Sequence, residues 1–271
     1  MSHVAPKGSV QLENPDDLSR WQIPMQPIPE RVEAAKRAGL KSGGVEFTDA
    51  ATVLDLENGG DGLTDAVVRL PSGMLLVACL TEMPGVTSAM WDWWFSWHSF
   101  VTERYQLWHP EAHKMAALKH DRSAEPRIRD RWVGNTSYVD EYLGPEMVKL
   151  AITFVEPSSV GLDQARVDEI GLAVCARTAL RRERLKAGHL IHLLEDTDDG
   201  CRMHSRFWLG DGDLERPIIR TLVNPIINRP SMRNRLVGDD SGFALLDHCA
   251  AEMNHLARIL PELYAEFGPG E

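Results

Sequence analysis

A histidine and a glutamate lie four residues apart near the end of the chain, as His248 and Glu252 in the segment LLDHCAAEMNHLARIL. Residues at this spacing on an α-helix project from one face, a single turn apart. Imidazole nitrogens and carboxylate oxygens are ligands of zinc, and they also suit iron or manganese. The pair therefore predicts half of a metal site or, without further ligands, a histidine that is hydrogen-bonded within a helix.

A second group of candidate side chains, Tyr105, His109 and His113, lies far upstream in the segment RYQLWHPEAHKMAAL. Proline favours the first position of a helix, so Pro110 predicts a helix with His109 at or before its cap and His113 in its first turn. The two histidines would not share a helix face. These residues alone do not decide which histidine could join His248 in a metal site.

Around these residues the sequence contains longer segments that are rich in Trp and His. They are MPGVTSAMWDWWFSWH (83–98), RYQLWHPEAH (104–113), VGNTSYVDEYLG (133–144), LIHLL with GCRMHSRFWLG (190–210) and DHCAAEM (247–253). In these segments, and in the order in which they occur, the chain resembles the 2,4-diacetylphloroglucinol hydrolase and phloretin hydrolase family. Members of that family are zinc enzymes that split the carbon–carbon bond between an acyl group and a phloroglucinol ring.

The resemblance implies one zinc ion per chain, held by two histidines and two glutamates. These ligands would be His113, Glu141, His248 and Glu252. His113 is favoured over His109 because Tyr105 then keeps the family's eight-residue distance from a substrate-contacting tyrosine to the ligand. Asp140 and Glu146 lie close to Glu141 in the sequence and offer the same carboxylate chemistry.

The resemblance also implies roles for residues near the substrate. Tyr105 and His192 would be catalytic, holding phenolic oxygens and moving protons, while Tyr105, His109 and Phe207 would contact the substrate. The diacetylphloroglucinol enzymes place a second tyrosine near the position of Phe207, and this difference favours phloretin, cleaved to phloroglucinol and a phenylpropanoic acid. Alternatives are 2,4-diacetylphloroglucinol hydrolysis, a zinc hydrolase of other β-diketones or esters, and a non-catalytic carrier of a hydrophobic ligand.

The elements that must position these residues point to an α+β fold. Alternating apolar and polar residues between 138 and 210 predict an antiparallel sheet, with hairpin turns at Pro71–Gly73 and at Asp198–Gly200. Residues 241–267 predict a long amphipathic helix with a possible kink at Pro261. Thr87 or Ser88 would cap an aromatic helix that is by default part of the core. By the resemblance, the fold is a helix-grip arrangement, like START and pollen-allergen proteins, with a cavity between sheet and helix.

The first 80 residues are predicted to form an N-terminal arm and dimerisation region, and residues 81–271 the catalytic domain. The arm is rich in proline and contains one short amphipathic stretch, PERVEAAKRAGL. Its apolar side chains have no obvious core of their own. This property, and the resemblance to dimeric hydrolases, predict a homodimer formed through this region.

Composition limits the remaining possibilities. Hydrophobic residues make up 43% of the sequence and charged residues 25%, as in an ordinary globular protein. The net charge of −11 argues against nucleic acid as a partner. The basic run at 177–186 is interpreted as a solvated helix face. No stretch has the apolar length of a signal peptide or membrane span, and the four scattered cysteines indicate neither disulfides nor a thiolate site. The sequence therefore predicts a cytoplasmic enzyme that acts on a small aromatic substrate.

Overall fold

The computed structural model describes residues 3–269, which contain one eight-stranded antiparallel sheet. The strand order across the sheet is β1-β2-β8-β7-β6-β5-β4-β3. The strands are β1 (Ala66–Arg69), β2 (Leu75–Pro84), β3 (His113–Leu118), β4 (Thr136–Leu143), β5 (Glu146–Val155), β6 (Gly171–Leu180), β7 (Leu185–Thr197) and β8 (Gly200–Leu214).

The α-helices mostly connect or cover these strands. They are α1 (Glu30–Ala38), α2 (Ser88–His98), α3 (Thr102–Trp108), α4 (Ile128–Trp132), α5 (Gln164–Ile170), α6 (Pro217–Ile227), α7 (Pro230–Leu236) and α8 (Asp239–Phe267). Short 3₁₀ helices are formed by Ser19–Trp21, Phe47–Leu54, Leu56–Asn58 and Pro157–Val160. None of the helices within residues 3–269 combines the length and the apolar character that crossing a bilayer requires.

Helix α8 packs against β2, and also against β1 and β4, so the sheet curves around one long C-terminal helix. The helix lies close to the sheet at Gly242, where an added Cβ would lie 2.5 Å from Leu75 Cδ2 and 2.6 Å from Val67 Cγ1. The helix runs on through Pro261 without a break. The predicted α+β class and helix-grip arrangement are confirmed.

The main core lies between the sheet and the helices, and the aromatic helix belongs to it as predicted. Trp91 and Trp94 are fully buried there, and Trp108 packs edge-on against both. Thr87 is the cap of α2, because its side-chain oxygen accepts a hydrogen bond from the backbone N–H of Met90. The helix is thus held at its start by a local bond and along its length by aromatic burial.

Both predicted hairpins are confirmed, since β1 pairs with β2 and β7 with β8 across the expected turns. The interpretation of residues 177–186 as a helix face is wrong. Leu180 ends β6 and Leu185 begins β7, so the basic run is a β-hairpin, and two of its arginines bind acids of the sheet. Arg177 contacts Asp211, and Arg181 forms an ion pair with Asp140.

The helix predicted after Pro110 does not form. Helix α3 ends at Trp108 and His109 follows it, while His113 is the first residue of β3. The N–H groups of Ala112 and His113 both donate to the His109 carbonyl, which makes one turn that is not continued. The apolar residues after His113 pair with β4, so this tertiary pairing overrides the local preference of proline.

The N-terminal segment runs along both edges of the sheet. Val10 forms a β-bridge with Leu118 of the edge strand β3, and Lys41 forms one with Val68 of the opposite edge strand β1. Strands β1 and β2 come from the predicted arm but belong to the single sheet, so residue 80 falls inside β2.

The apolar side chains of the arm do have a core. Leu18, Trp21 and Val32 are buried in the main core of this same chain. The physical reason given for dimerisation, an arm without a core, is therefore wrong. The homodimer itself stays a prediction.

Candidate metal centre and active site

Two strands and one helix bring together the four side chains expected to bind a metal. His113 begins β3 and is the register partner of Glu141 on β4. His248 and Glu252 come from one face of α8, which crosses this part of the sheet. All four residues are buried.

The side-chain atoms that could bind a cation converge on a small volume. His113 Nε2 lies 3.4 Å from Glu252 Oε2 and 3.9 Å from Glu141 Oε2, and His248 Nε2 lies 3.6 Å from Glu252 Oε2. Ligand atoms of His113, His248 and Glu252 all lie within 4.8 Å of one another. The buried His113 Nε2 has no hydrogen-bond partner within residues 3–269, as expected of an atom that awaits a ligand.

Strand alternation separates Glu141 from its neighbour Asp140. Asp140 is fully buried on the other side of β4, where Lys149 and Arg181 bind its carboxylate. Glu146 lies at the exposed start of β5. The structure therefore places Glu141 beside His113, where the resemblance expected it.

Tyr105 holds two of these side chains in place. Its hydroxyl donates a hydrogen bond to Glu141 Oε2, and its backbone carbonyl accepts one from His113 Nδ1 at 3.0 Å. With its proton on Nδ1, His113 presents a bare Nε2 to the carboxylates. Burial, and then the charge of Glu141, raise the pKa of Tyr105 well above 10, so this hydroxyl stays protonated.

The histidines of the site are neutral at neutral pH. Burial lowers the pKa of His113 well below its ordinary value, and the nearby His248 adds to the shift. Burial lowers the pKa of His248 to about 4, opposed by its interaction with the Tyr142 backbone. Neutral imidazole is the form that binds metals.

The carboxylates lack a compensating positive charge. Burial raises the pKa of Glu141 to about 7, with the Tyr105 hydrogen bond lowering it and the Asp140 charge adding to it. Burial and then the charge of Glu141 raise the pKa of Glu252 well above its ordinary value. Among residues 3–269, neither glutamate forms an ion pair with lysine or arginine. A bound cation would supply the missing charge.

A cavity of about 480 Å³ lies directly beside this group, and His248 and His109 form part of its wall. The two imidazole rings stack with centroids 5.0 Å apart. His109 Nδ1 accepts a hydrogen bond from the Ala112 N–H, so the proton of the neutral ring is on Nε2. His109 is thus placed as a hydrogen-bond donor in the cavity wall, while His113 lies in the group of candidate ligands.

His192 and Phe207 form a separate pair on the inner faces of β7 and β8. Their rings meet edge to face at 5.5 Å, and the His192 ring binds the Ser205 hydroxyl at 2.7 Å. Burial lowers the pKa of His192 to about 3. Within the described part of the chain, no hydrogen bond or ring contact joins this pair to the four candidate ligands. Both residues face inward, and for His192 the alternation of β7 predicts this.

Sequence reasoning missed one wall of the cavity. Met25, Gln26 and Ile28 line it, although they lie more than 80 residues before the next wall residue in the chain, His109. These residues belong to no recognisable sequence motif, and their side chains have no catalytic or metal-binding group. Their prolines indicated an extended chain but not where that chain would lie.

Comparisons with known proteins show the family to which the chain belongs. The family model of the DAPG hydrolase PhiG domain matches residues 55–265. A 2,4-diacetylphloroglucinol hydrolase of Pseudomonas protegens is 33% identical over 211 residues, covering 73% of this chain and 67% of that protein. A phloretin hydrolase of Eubacterium ramulus is 33% identical over 202 residues, covering 72% of this chain and 69% of that protein. The solved norcoclaurine synthase of Thalictrum flavum superposes with a TM-score of 0.35 at 12% identity, over 73% of this chain and 91% of that one. The chain belongs to the DAPG hydrolase PhiG domain family of hydrolases.

Proposed function

We propose that this hydrolase uses a divalent metal to cleave the carbon–carbon bond between the acyl group and the ring of an acylphloroglucinol. In that reaction the acyl carbon gains the hydroxyl group of water and the ring carbon gains its proton. The products are a phloroglucinol and a carboxylic acid. The observation that carries the proposal is the convergence of two histidines and two glutamates beside a cavity.

The side chains present fit a divalent metal, and we propose one zinc ion per chain. The ligands would be His113, Glu141, His248 and Glu252. Neutral imidazoles, buried carboxylates without a lysine or arginine partner, and the bare His113 Nε2 all support this assignment. When bound there, the cation would polarise an acyl carbonyl and lower the pKa of water at the site.

Other side chains would orient the substrate and handle protons. His109 can donate from Nε2 to a phenolic or carbonyl oxygen in the cavity, because its other nitrogen already accepts from Ala112. Tyr105 donates its hydroxyl hydrogen bond to Glu141, so its first role is to fix that carboxylate. His192, neutral and bound to Ser205, is the candidate for holding a phenolic oxygen and relaying a proton of water toward the ring.

Among acylphloroglucinols we propose phloretin as the substrate. Phe207 is buried beside His192 and offers no hydroxyl group to a second acyl or phenol oxygen. A mono-acylated ring such as that of phloretin has no second acyl oxygen and therefore needs this hydrogen bond less than a diacylated ring does. 2,4-Diacetylphloroglucinol is the alternative that follows from the other relatives. A carrier without catalysis would have no use for four converging metal ligands.

The decisive experiment compares Glu252→Gln with Glu262→Gln in the same helix. Glu262 is 60% exposed and paired with Arg20, so its change leaves the site untouched. We expect the wild type and Glu262→Gln to contain one metal per chain and to release acid from phloretin, and Glu252→Gln to lose both properties. Active wild-type enzyme without stoichiometric metal would refute metal dependence. Failure to cleave any acylphloroglucinol would refute the reaction.

We also retain the homodimer as a proposal, through the N-terminal region as far as residue 80. Light scattering at micromolar concentration is its test, and a monomer would contradict it. Nothing in the proposed reaction requires the second copy.

A further inference from the structure

The cavity beside His248 has the dimensions of a ligand-binding site. Its volume of about 480 Å³ falls within the range of roughly 300–1,000 Å³ that is usual for small-molecule pockets. Its wall includes the imidazoles of His109 and His248, and the apolar side chains of Met25 and Ile28 come from a separate segment of the chain. Gln26, Glu111 and Asp247 are further polar residues of the wall. A ligand held in this cavity beside the histidines can therefore also contact Met25 and Ile28.

Residues 22–29, QIPMQPIP, form this wall as an extended segment without regular secondary structure. Its prolines restrict the backbone, and the segment is anchored at several points. Asn254 of α8 donates a hydrogen bond to the Pro27 carbonyl at 3.0 Å, and Ile23 and Ile28 pack against the main core. Just before it, Trp21 packs against Phe267 near the end of α8, with ring centroids 5.2 Å apart. The wall is thus held on α8, the helix that also carries His248.

The segment lies outside the part of the chain that matches the family model, which begins at residue 55. The candidate ligands and His109 lie inside the matched range. One side of the pocket is therefore family-matched chemistry, and the other is a segment that the family match does not include. A residue of the second kind can change which substrate fits without changing the reaction.

We propose that residues 22–29 form a binding subsite for the apolar acyl arm of the substrate, with Met25 and Ile28 as its specificity-determining side chains. This inference deepens the proposed function and rests on it for the identity of the reaction. An arylpropanoyl arm, as in phloretin, would reach this wall and bury apolar surface on it. An acetyl group would end near the histidines. Methionine suits such a role because its flexible, polarisable side chain adapts to an aromatic ring.

The test compares Met25→Ala and Ile28→Ala with Ile23→Ala. Ile23 belongs to the same segment and packs on the core, but it does not line the cavity. The readout is kcat/KM for phloretin divided by kcat/KM for monoacetylphloroglucinol. We expect this ratio to fall about tenfold in each wall variant, mostly through KM, as is usual when a pocket loses apolar contact. Met25→Leu should restore it, and Ile23→Ala should leave it unchanged.

A second readout does not depend on catalysis. The product acid of phloretin, 3-(4-hydroxyphenyl)propanoic acid, carries the arm and is not turned over, so calorimetry can measure its Kd directly. We expect weaker binding in Met25→Ala and Ile28→Ala than in the wild type. An unchanged Kd and an unchanged substrate ratio would overturn the subsite. If the wild type cleaves neither substrate but binds the acid in a Met25-dependent way, the proposed reaction fails and the subsite stands.

Discussion

The ring of Tyr105 lies parallel to the imidazole of His113, with centroids 3.8 Å apart and planes inclined by 3°. The same tyrosine accepts a hydrogen bond from His113 at its carbonyl and donates one from its hydroxyl to Glu141. One residue of α3 thus orients a candidate ligand on β3 and another on β4. Its contacts with protein groups make Tyr105 a positioning residue first.

Tyr105→Phe should keep the ring stacking and lose only the bond to Glu141. Removing a group that orients a metal ligand usually weakens metal affinity by about 10- to 100-fold. We expect a loss of this size in metal titrations, with the metal-free protein still folded by circular dichroism. Tyr138→Phe on β4 is the control and should bind metal normally. Equal affinity in the wild type and Tyr105→Phe would show that Glu141 does not depend on this bond.

The buried His98 should make folding stability depend on pH. Burial, with a contribution from the nearby Arg104, lowers its pKa to about 3 from 6.5, opposed by the bond to the Trp94 carbonyl. Between these values the unfolded chain binds a proton that the folded chain does not. Stability from this residue is therefore lost as the pH falls from 6.5 toward 3, at about 1.4 kcal/mol per pH unit.

The measurement is the free energy of unfolding by urea in the metal-free wild type and in His98→Gln, from pH 7 to pH 4. The glutamine amide can still donate to the Trp94 carbonyl. Other buried groups titrate in this range, including Glu141, so only the difference between the two proteins is informative. The difference should shrink steadily as the pH falls. A difference that is constant with pH would contradict the assignment.

Gly242→Ala should loosen the grip of α8 on the sheet. An alanine Cβ there would meet Leu75 and Val67 at 2.5 and 2.6 Å, so the helix or these side chains must move. Overpacking of this kind costs about 1–3 kcal/mol. Thermal unfolding should show a lower Tm. Gly238→Ala is the control, because an added Cβ meets nothing within 4 Å. Equal Tm values in the two variants would show that this contact is not tight.

Phe207→Tyr tests the choice of substrate. The new hydroxyl would lie near His192 in a buried region, where a hydrogen bond to a substrate oxygen changes binding by about 1–3 kcal/mol, or roughly 5- to 150-fold. We expect kcat/KM for 2,4-diacetylphloroglucinol to rise relative to phloretin. A strong preference of the wild type for the diacetyl compound, or an unchanged ratio in the variant, would remove Phe207 from the explanation of specificity.

The parts of the site that the sequence could predict are those with local patterns. His248 and Glu252 share a helix face because of their spacing, and no tertiary information is needed. The choice of Glu141 over Asp140 is different, because a shift of one residue in a strand exchanges its two faces. Only the pairing of β4 with β3, and the cations that bind Asp140, settle which acid points inward.

At the start of β3 the sequence contains a clear local signal for a helix, but strand pairing in the folded protein overrides it. Pro110 favours a helix, but His113 is already paired with β4. Likewise, nothing between residues 22 and 29 indicates the helix on which the segment lies. Contacts over more than 200 residues, such as Asn254 with Pro27, leave no periodicity in the sequence.

The two β-bridges of the N-terminal segment have a consequence for solubility. Val10 and Lys41 occupy hydrogen-bonding positions on the outer strands β3 and β1, so part of each edge of the sheet is already paired. Unpaired edge strands are templates on which other chains add as further strands. The parts of the N-terminal segment on either side of residues 22–29 therefore help to shield the sheet against aggregation. A truncation through residue 29, designed to open the pocket, would also remove Val10 and expose the edge of β3. Single side-chain changes are therefore the cleaner experiment.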